Sequence, residues 1–82
     1  MIKIEKYKSF IEDLSKLLKG KGDNIAKYNE GFDSLTLMFD YETFKVIDNE
    51  KSKLFKDFRD LVYKHEFSYD FICYRVIEVY EE

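Results

Sequence analysis

Few side chains in this sequence could do covalent or metal chemistry, and their spacing argues against it. Cys73 is the one cysteine and His65 the one histidine among 82 residues. No internal disulfide can therefore close, and no zinc site can be assembled from thiolates and imidazoles. Cys73 falls within a β-branched, aromatic stretch, where a thiol usually serves as a small hydrophobe, so core filling is its expected role. His65 closes an apolar stripe at a helix end, a place for packing or for complementing the helix dipole, and no catalytic partner is indicated for it. Asp33, Asp40 and Glu42 lie around turns without the spacing or glycine of a calcium loop. Gly20-Lys21-Gly22 lacks the surroundings of a phosphate loop and reads as a helix stop followed by a turn. The expectation is a protein that is not an enzyme and uses neither cofactor nor metal.

The elements that must position these residues are set by hydrophobic period. Tyr7, Phe10, Ile11, Leu14, Leu17 and Leu18 recur at offsets of three and four, which predicts a helix over about residues 6–19. Ser9 and Glu12 fit a capping box at its start, and Gly20 can supply the left-handed residue that ends it. Ile25, Ala26 and Tyr28 suggest a short strand, followed by an Asn29-Glu30-Gly31 turn in which Gly31 would take the positive φ. Leu35, Leu37 and Phe39 alternate with Ser34, Thr36 and Met38 as in a half-buried strand. Phe44 and Val46 alternate with Thr43, Lys45 and Ile47, which suggests a third strand or the far half of one long bent strand. Leu54, Phe55, Phe58, Leu61, Val62 and His65 form a second helical stripe over about residues 49–65, with Asp48 or Asn49 as the cap. Tyr69 to Tyr80 has β-branched and aromatic residues on both faces and is expected to be one interior strand. The resulting fold class is α+β: two amphipathic helices on one face of a mainly antiparallel sheet, in the order αβββαβ, forming a single domain over 1–82.

Composition narrows the function classes. The chain is 45% hydrophobic, 38% charged and 18% aromatic, a mixture that folds and whose bulky rings compensate for small size. No apolar run approaches a membrane span and no secretory leader is legible, so the expected location is cytoplasmic, with no membrane partner. Lys, Ile, Asn, Tyr and Phe are frequent whereas proline is absent and glycine numbers three. That codon bias points to an AT-rich genome such as that of a Firmicute or one of its phages.

The αβββα portion of this order resembles the double-stranded-RNA-binding domain, in which a lysine cluster at the start of the second helix touches phosphates. Lys51, Lys53 and Lys56 occupy comparable places, although the local sequence Asp48-Asn49-Glu50-Lys51-Ser52-Lys53 lacks the Ser-Lys-Lys-type start and the Gly-rich turn. The resemblance implies a nucleic-acid-binding module using the basic helix side. The net charge of −3 opposes direct nucleic-acid contact and favours a solvated amphipathic helix instead.

Charge is segregated by element. Residues 1–22 carry six Lys against three acids, and 51–64 carry five basic residues against two acids. Residues 23–50 carry two Lys against seven acids, and 65–82 carry one Arg against five acids. Basic helices would then cover one side and an acidic, tyrosine-bearing sheet face the other. If Phe71, Cys73, Ile77 and Val79 point inward, that face comprises Asp70, Ile72, Tyr74, Val76, Glu78, Tyr80 and Glu82, with Ser34, Thr36 and Met38 beside them. Partner contact is expected at Asp70, Ile72, Tyr74, Glu78, Tyr80 and Glu82, with Asp40 and Glu42 at the rim, because Tyr supplies rigid contact area and carboxylates attract an electropositive partner. The expected role is that of a small acidic inhibitor occupying the surface of a larger basic, nucleic-acid-handling host protein, as phage anti-defence proteins of the anti-CRISPR kind do. The alternative is an immunity protein or antitoxin that neutralises a basic toxin. A monomer is favoured over a homodimer, since like charges around the face repel a symmetric copy.

Overall fold

The computed structural model describes residues 4–81. Its elements are α1 (Glu5–Leu17), β1 (Ile25–Asn29), β2 (Ser34–Met38), α2 (Tyr41–Ile47), α3 (Lys53–Lys64), β3 (Phe67–Cys73) and β4 (Val76–Glu81). The strands form one antiparallel sheet in the order β1-β2-β4-β3. The helices pack on one face of it, so the α+β class and the one-sided helical layer expected from the hydrophobic period are what the chain adopts.

α1 buries Tyr7, Phe10 and Leu14, and Leu18, its C-cap, is buried just beyond it, in line with the stripe seen in the sequence. It begins at Glu5, so Ser9 lies inside the helix and no Ser9–Glu12 box caps it. Gly20 adopts φ 77° and Lys21 N–H donates to the Leu18 carbonyl at 3.0 Å, closing the helix as expected. In the β1–β2 turn the positive φ falls on Asp33 (49°) instead of Gly31. Leu35 and Leu37 then face the core from β2, with Phe39 buried just beyond it.

The expected third strand is a helix. Asp40 caps α2 by accepting from Glu42 N–H at 3.2 Å, and Thr43, Phe44 and Ile47 are buried on one side of the turn that follows. The pair Phe44 and Ile47, three apart, outweighs the Phe44/Val46 alternation, and Val46 is left exposed. With the αβββα order gone, the topological likeness to a double-stranded-RNA-binding domain goes too. α3 begins later than expected, because Ser52 is its cap: Ser52 Oγ accepts from Phe55 N–H at 3.0 Å and donates to the Val46 carbonyl at 2.7 Å. Asn49 Oδ1 instead accepts from Lys51 N–H in the connecting turn.

The expected single strand over 69–80 is a hairpin, turning at Tyr74 and Arg75 with Arg75 at φ 66°. From Phe67 to Phe71 the face assignment survives the turn, because partners such as Phe71 and Ile77 lie an even number of positions apart. At the bulge it breaks: Cys73 pairs with Val76, an odd number of positions away, and takes the outward face where the inward one was expected. Ile77, Val79 and Phe67 are buried, while Cys73, beside a β-bulge at Phe71/Cys73, is exposed and not core filler. The core is closed by Tyr7, Phe10, Phe58, Leu35, Leu37, Ile47, Val62, Ile77 and Val79. His65 Nε2 lies 2.8 Å from Asp13 Oδ2, tying the end of α3 to α1, and its ring meets Phe10 edge-on.

Candidate partner-binding face

The sheet face opposite the helices carries three cross-strand rows fixed by register. Asn29, Ser34, Tyr80 and Ser68 form the first, Lys27, Thr36, Glu78 and Asp70 the second. Ile25, Met38, Val76 and Cys73 form the third, and Ile72 flanks it on β3. Ile25 is 59% and Ile72 56% exposed, and Met38 is exposed with them. An apolar row therefore borders a charged row on a surface that no element of the described chain covers.

Asp70 and Glu78 are direct cross-strand partners on this face, an arrangement of like charges that is unfavourable in itself. Hydroxyl donors compensate. Ser34 Oγ donates to Glu78 Oε2, Thr36 Oγ1 donates to Glu78 Oε1 at 2.6 Å, and Tyr80 OH donates to Asp70 Oδ2 at 2.9 Å. Each donor stabilises the charged carboxylate and fixes its direction. The result is a pair of oriented carboxylates on the β4–β3 side of the open sheet face.

Of the residues expected here, Asp70, Ile72, Glu78 and Tyr80 share this face. Tyr74 is 63% exposed but sits in the β3–β4 turn, with its ring 6.3 Å from Tyr41 and edge-on to Phe44 at 5.7 Å, so it belongs to the α2 end of the molecule. The Arg75 guanidinium lies over the same ring at 5.7 Å. Asp40 spends its carboxylate on capping α2 and crowds Gly22, where an added Cβ would approach the Asp40 side chain to 2.9 Å. Glu42 is exposed in the first turn of α2. Glu82 lies outside the described residues.

Sequence reasoning missed Phe32 and Lys27. Phe32 is 82% exposed at the tip of the β1–β2 hairpin, and an aromatic between Gly31 and Asp33 in an otherwise polar turn was a legible sign. Lys27 enters the charged row only through its pairing with Thr36.

Behind the face, Asp33 in the β1–β2 turn ties α1 to β1. Its carboxylate meets Lys6 Nζ at 2.6 Å and accepts from Tyr28 OH at 2.8 Å, and its carbonyl accepts from Tyr7 OH at 2.8 Å. Burial first, and then the hydrogen bond to Asp33, push the Tyr28 phenol up to about 12. The hydrogen bond to Asp33 raises the Lys6 ammonium against a smaller opposing effect of burial.

Among the described residues no group of three or more His, Cys, Asp or Glu side chains is arranged to hold a metal ion, and no helix is long and apolar enough to cross a membrane. No protein-family model, curated protein or solved structure matches this chain.

Proposed function

We propose that this protein is a small, non-enzymatic binding protein whose open sheet face docks on a larger, basic, nucleic-acid-handling protein and inhibits it by occupying its phosphate-binding surface. The observation that carries the reading is the pair Asp70 and Glu78, held opposite each other by three hydroxyls beside the row of Ile25, Met38, Val76 and Ile72. Apolar side chains supply contact area, and two oriented carboxylates substitute for phosphate oxygens against lysine and arginine. Small size and acidic charge support reading it as a phage or mobile-element anti-defence inhibitor of the anti-CRISPR kind. Its partner is met in the cytoplasm.

The test uses the double variant Asp70→Lys/Ile72→Asp, which changes two exposed residues and spares the bracing of Glu78. Wild type is expected to capture a basic protein and to displace labelled nucleic acid from that purified partner in an anisotropy titration. The variant should melt like wild type and do neither. Equal capture by the variant overturns the docking face. A captured nuclease toxin would assign the immunity role instead, and a mobility shift of nucleic acid by this protein alone in low salt would transfer the function to its basic helices.

A further inference from the structure

One end of the open face is not flat. A cleft of about 530 Å³ lies between Phe32 and Ile72, with Asn29, Ser34, Glu78 and Tyr80 among the residues lining it. The Phe32 ring meets no other ring among the described residues, and the exposed position it holds satisfies no packing need of the domain. The hydroxyl protons on this floor are committed. Ser34 and Thr36 both donate to Glu78, and Tyr80 donates to Asp70. What Ser34 and Glu78 turn towards the cleft is therefore acceptor oxygen, and Asn29 can add its amide oxygen. The acids of the far wall, Asp33 and Glu81, already share Lys6, at 2.6 and 3.6 Å. The cleft thus combines one oriented carboxylate, neutral acceptors and an aromatic flank opposite an aliphatic one.

A ligand complementary to that set is rich in donors, has no acceptor, carries positive charge and is planar. Guanidinium meets each condition: five N–H donors in a plane that stacks on aromatic rings and pairs with carboxylate, whereas ammonium is a compact and strongly hydrated point charge. We propose that this cleft receives an arginine side chain of the partner, with guanidinium against Phe32 and Glu78 and its stem along Ile72. The inference rests on the docking reading above and names the anchor residue of that interface.

N-acetyl-arginine amide, titrated into the labelled protein and followed by amide NMR shifts, tests it directly. Shifts are expected at Asn29, Ser34 and Glu78, saturating on the order of millimolar ligand as befits one small side chain. The citrulline analogue, which keeps the shape and loses the charge, should leave these signals unmoved. Glu78→Gln keeps one acceptor oxygen for Ser34 or Thr36, and the other hydroxyl can turn to accept from the new amide NH2; with an unchanged melting temperature this variant should abolish the response. Phe32→Ala should weaken it about two- to fivefold, the value of an exposed cation–π contact. Absence of shifts with arginine, equal shifts with citrulline or with the lysine analogue, or an undiminished response in Glu78→Gln each overturn the assignment. If arginine fails to bind but Asp70→Lys/Ile72→Asp still loses its partner, the cleft is wrong and the docking face stands. If arginine binds and the double variant keeps its partner, the docking face is wrong and the cleft stands.

Discussion

Asp33 holds a left-handed backbone (φ 49°), a conformation that aspartate tolerates better than most residues. It also supplies the acceptors for Lys6, Tyr7 and Tyr28. Asp33→Ala removes two side-chain partners and places a Cβ residue without local compensation in that conformation, and should destabilise by about 2 kcal/mol in urea denaturation. Asp33→Asn, which keeps the backbone preference and an acceptor, should cost less. The Tyr28 phenol is raised from 10.0 to about 12, so its neutral form belongs to the folded state. Its contribution is fully present below pH 10 and is lost as pH climbs from 10 towards 12. Tyrosinate absorbance should show a late-titrating phenol in wild type that moves to lower pH in Asp33→Asn. Asp13 behaves in the opposite sense, since its hydrogen bond with His65, more than Lys64 nearby, lowers its carboxyl below 3.8. That contribution is present above pH 3.8 and is lost as pH falls through the lowered value. Wild type should accordingly lose more stability than Asp13→Asn when denaturation midpoints at pH 7 and pH 3 are compared.

The division of labour between α2 and α3 rests on one serine. Ser52 accepts the Phe55 N–H of the helix it starts and donates to the Val46 carbonyl of the helix just ended. Ser52→Ala should therefore destabilise by about 1 kcal/mol, the usual worth of an N-cap. Asp48→Ala, at the position the sequence suggests as the cap, should stay within about 0.5 kcal/mol of wild type, as exposed surface changes do. Thermal melts of the two variants decide between these starts. Both capping candidates are small polar residues preceding the same apolar stripe. Only the closure of α2 at Ile47, four residues before Lys51, pushes the start of α3 back to Lys53.

The two edges of the sheet carry opposite charges at their centres. Lys27 is the middle residue of β1 and Asp70 the middle residue of β3, and both stand on the open face. Symmetric pairing of two β1 edges would set Lys27 against its mate, and symmetric pairing of two β3 edges would do the same with Asp70. Like charges directly opposed are unfavourable, and charged residues and bulges at edges are common defences against sheet extension. The bulge at Phe71/Cys73 adds to the second defence. The free protein is expected to be a monomer, with a light-scattering mass near 10.0 kDa that does not change with concentration. Lys27→Val should raise that mass at high concentration by making β1 adhesive, and a constant mass near twice the chain for wild type would show that the charges do not keep copies apart.

Local alternation alone determined α1, β2, the stripe of α3 and the outward set Asp70, Ile72, Val76, Glu78 and Tyr80. Each depends on period, and period survives without knowledge of partners: the unforeseen turn at Tyr74–Arg75 preserved the parity of the faces as far as Phe71, and only the bulge beside it turned Cys73 outward. Tertiary contacts decided the rest. Residues 41–47 carry a pattern compatible with strand or helix, and their state is fixed by distant groups. Asp40 N–H donates to Asn24 Oδ1 at 2.9 Å, Thr43 Oγ1 donates to the Lys21 carbonyl, and the Phe44 ring packs on Tyr74. The hairpin at Tyr74–Arg75 contains no glycine or asparagine to announce it, and it is held in place as Phe39 N–H donates to the Arg75 carbonyl at 2.9 Å. The same holds for the candidate site. Composition tells that acids and tyrosines are abundant, but which carboxylates face a partner, and which serve as caps or pair with lysine, is set by hydrogen bonds between residues tens of positions apart.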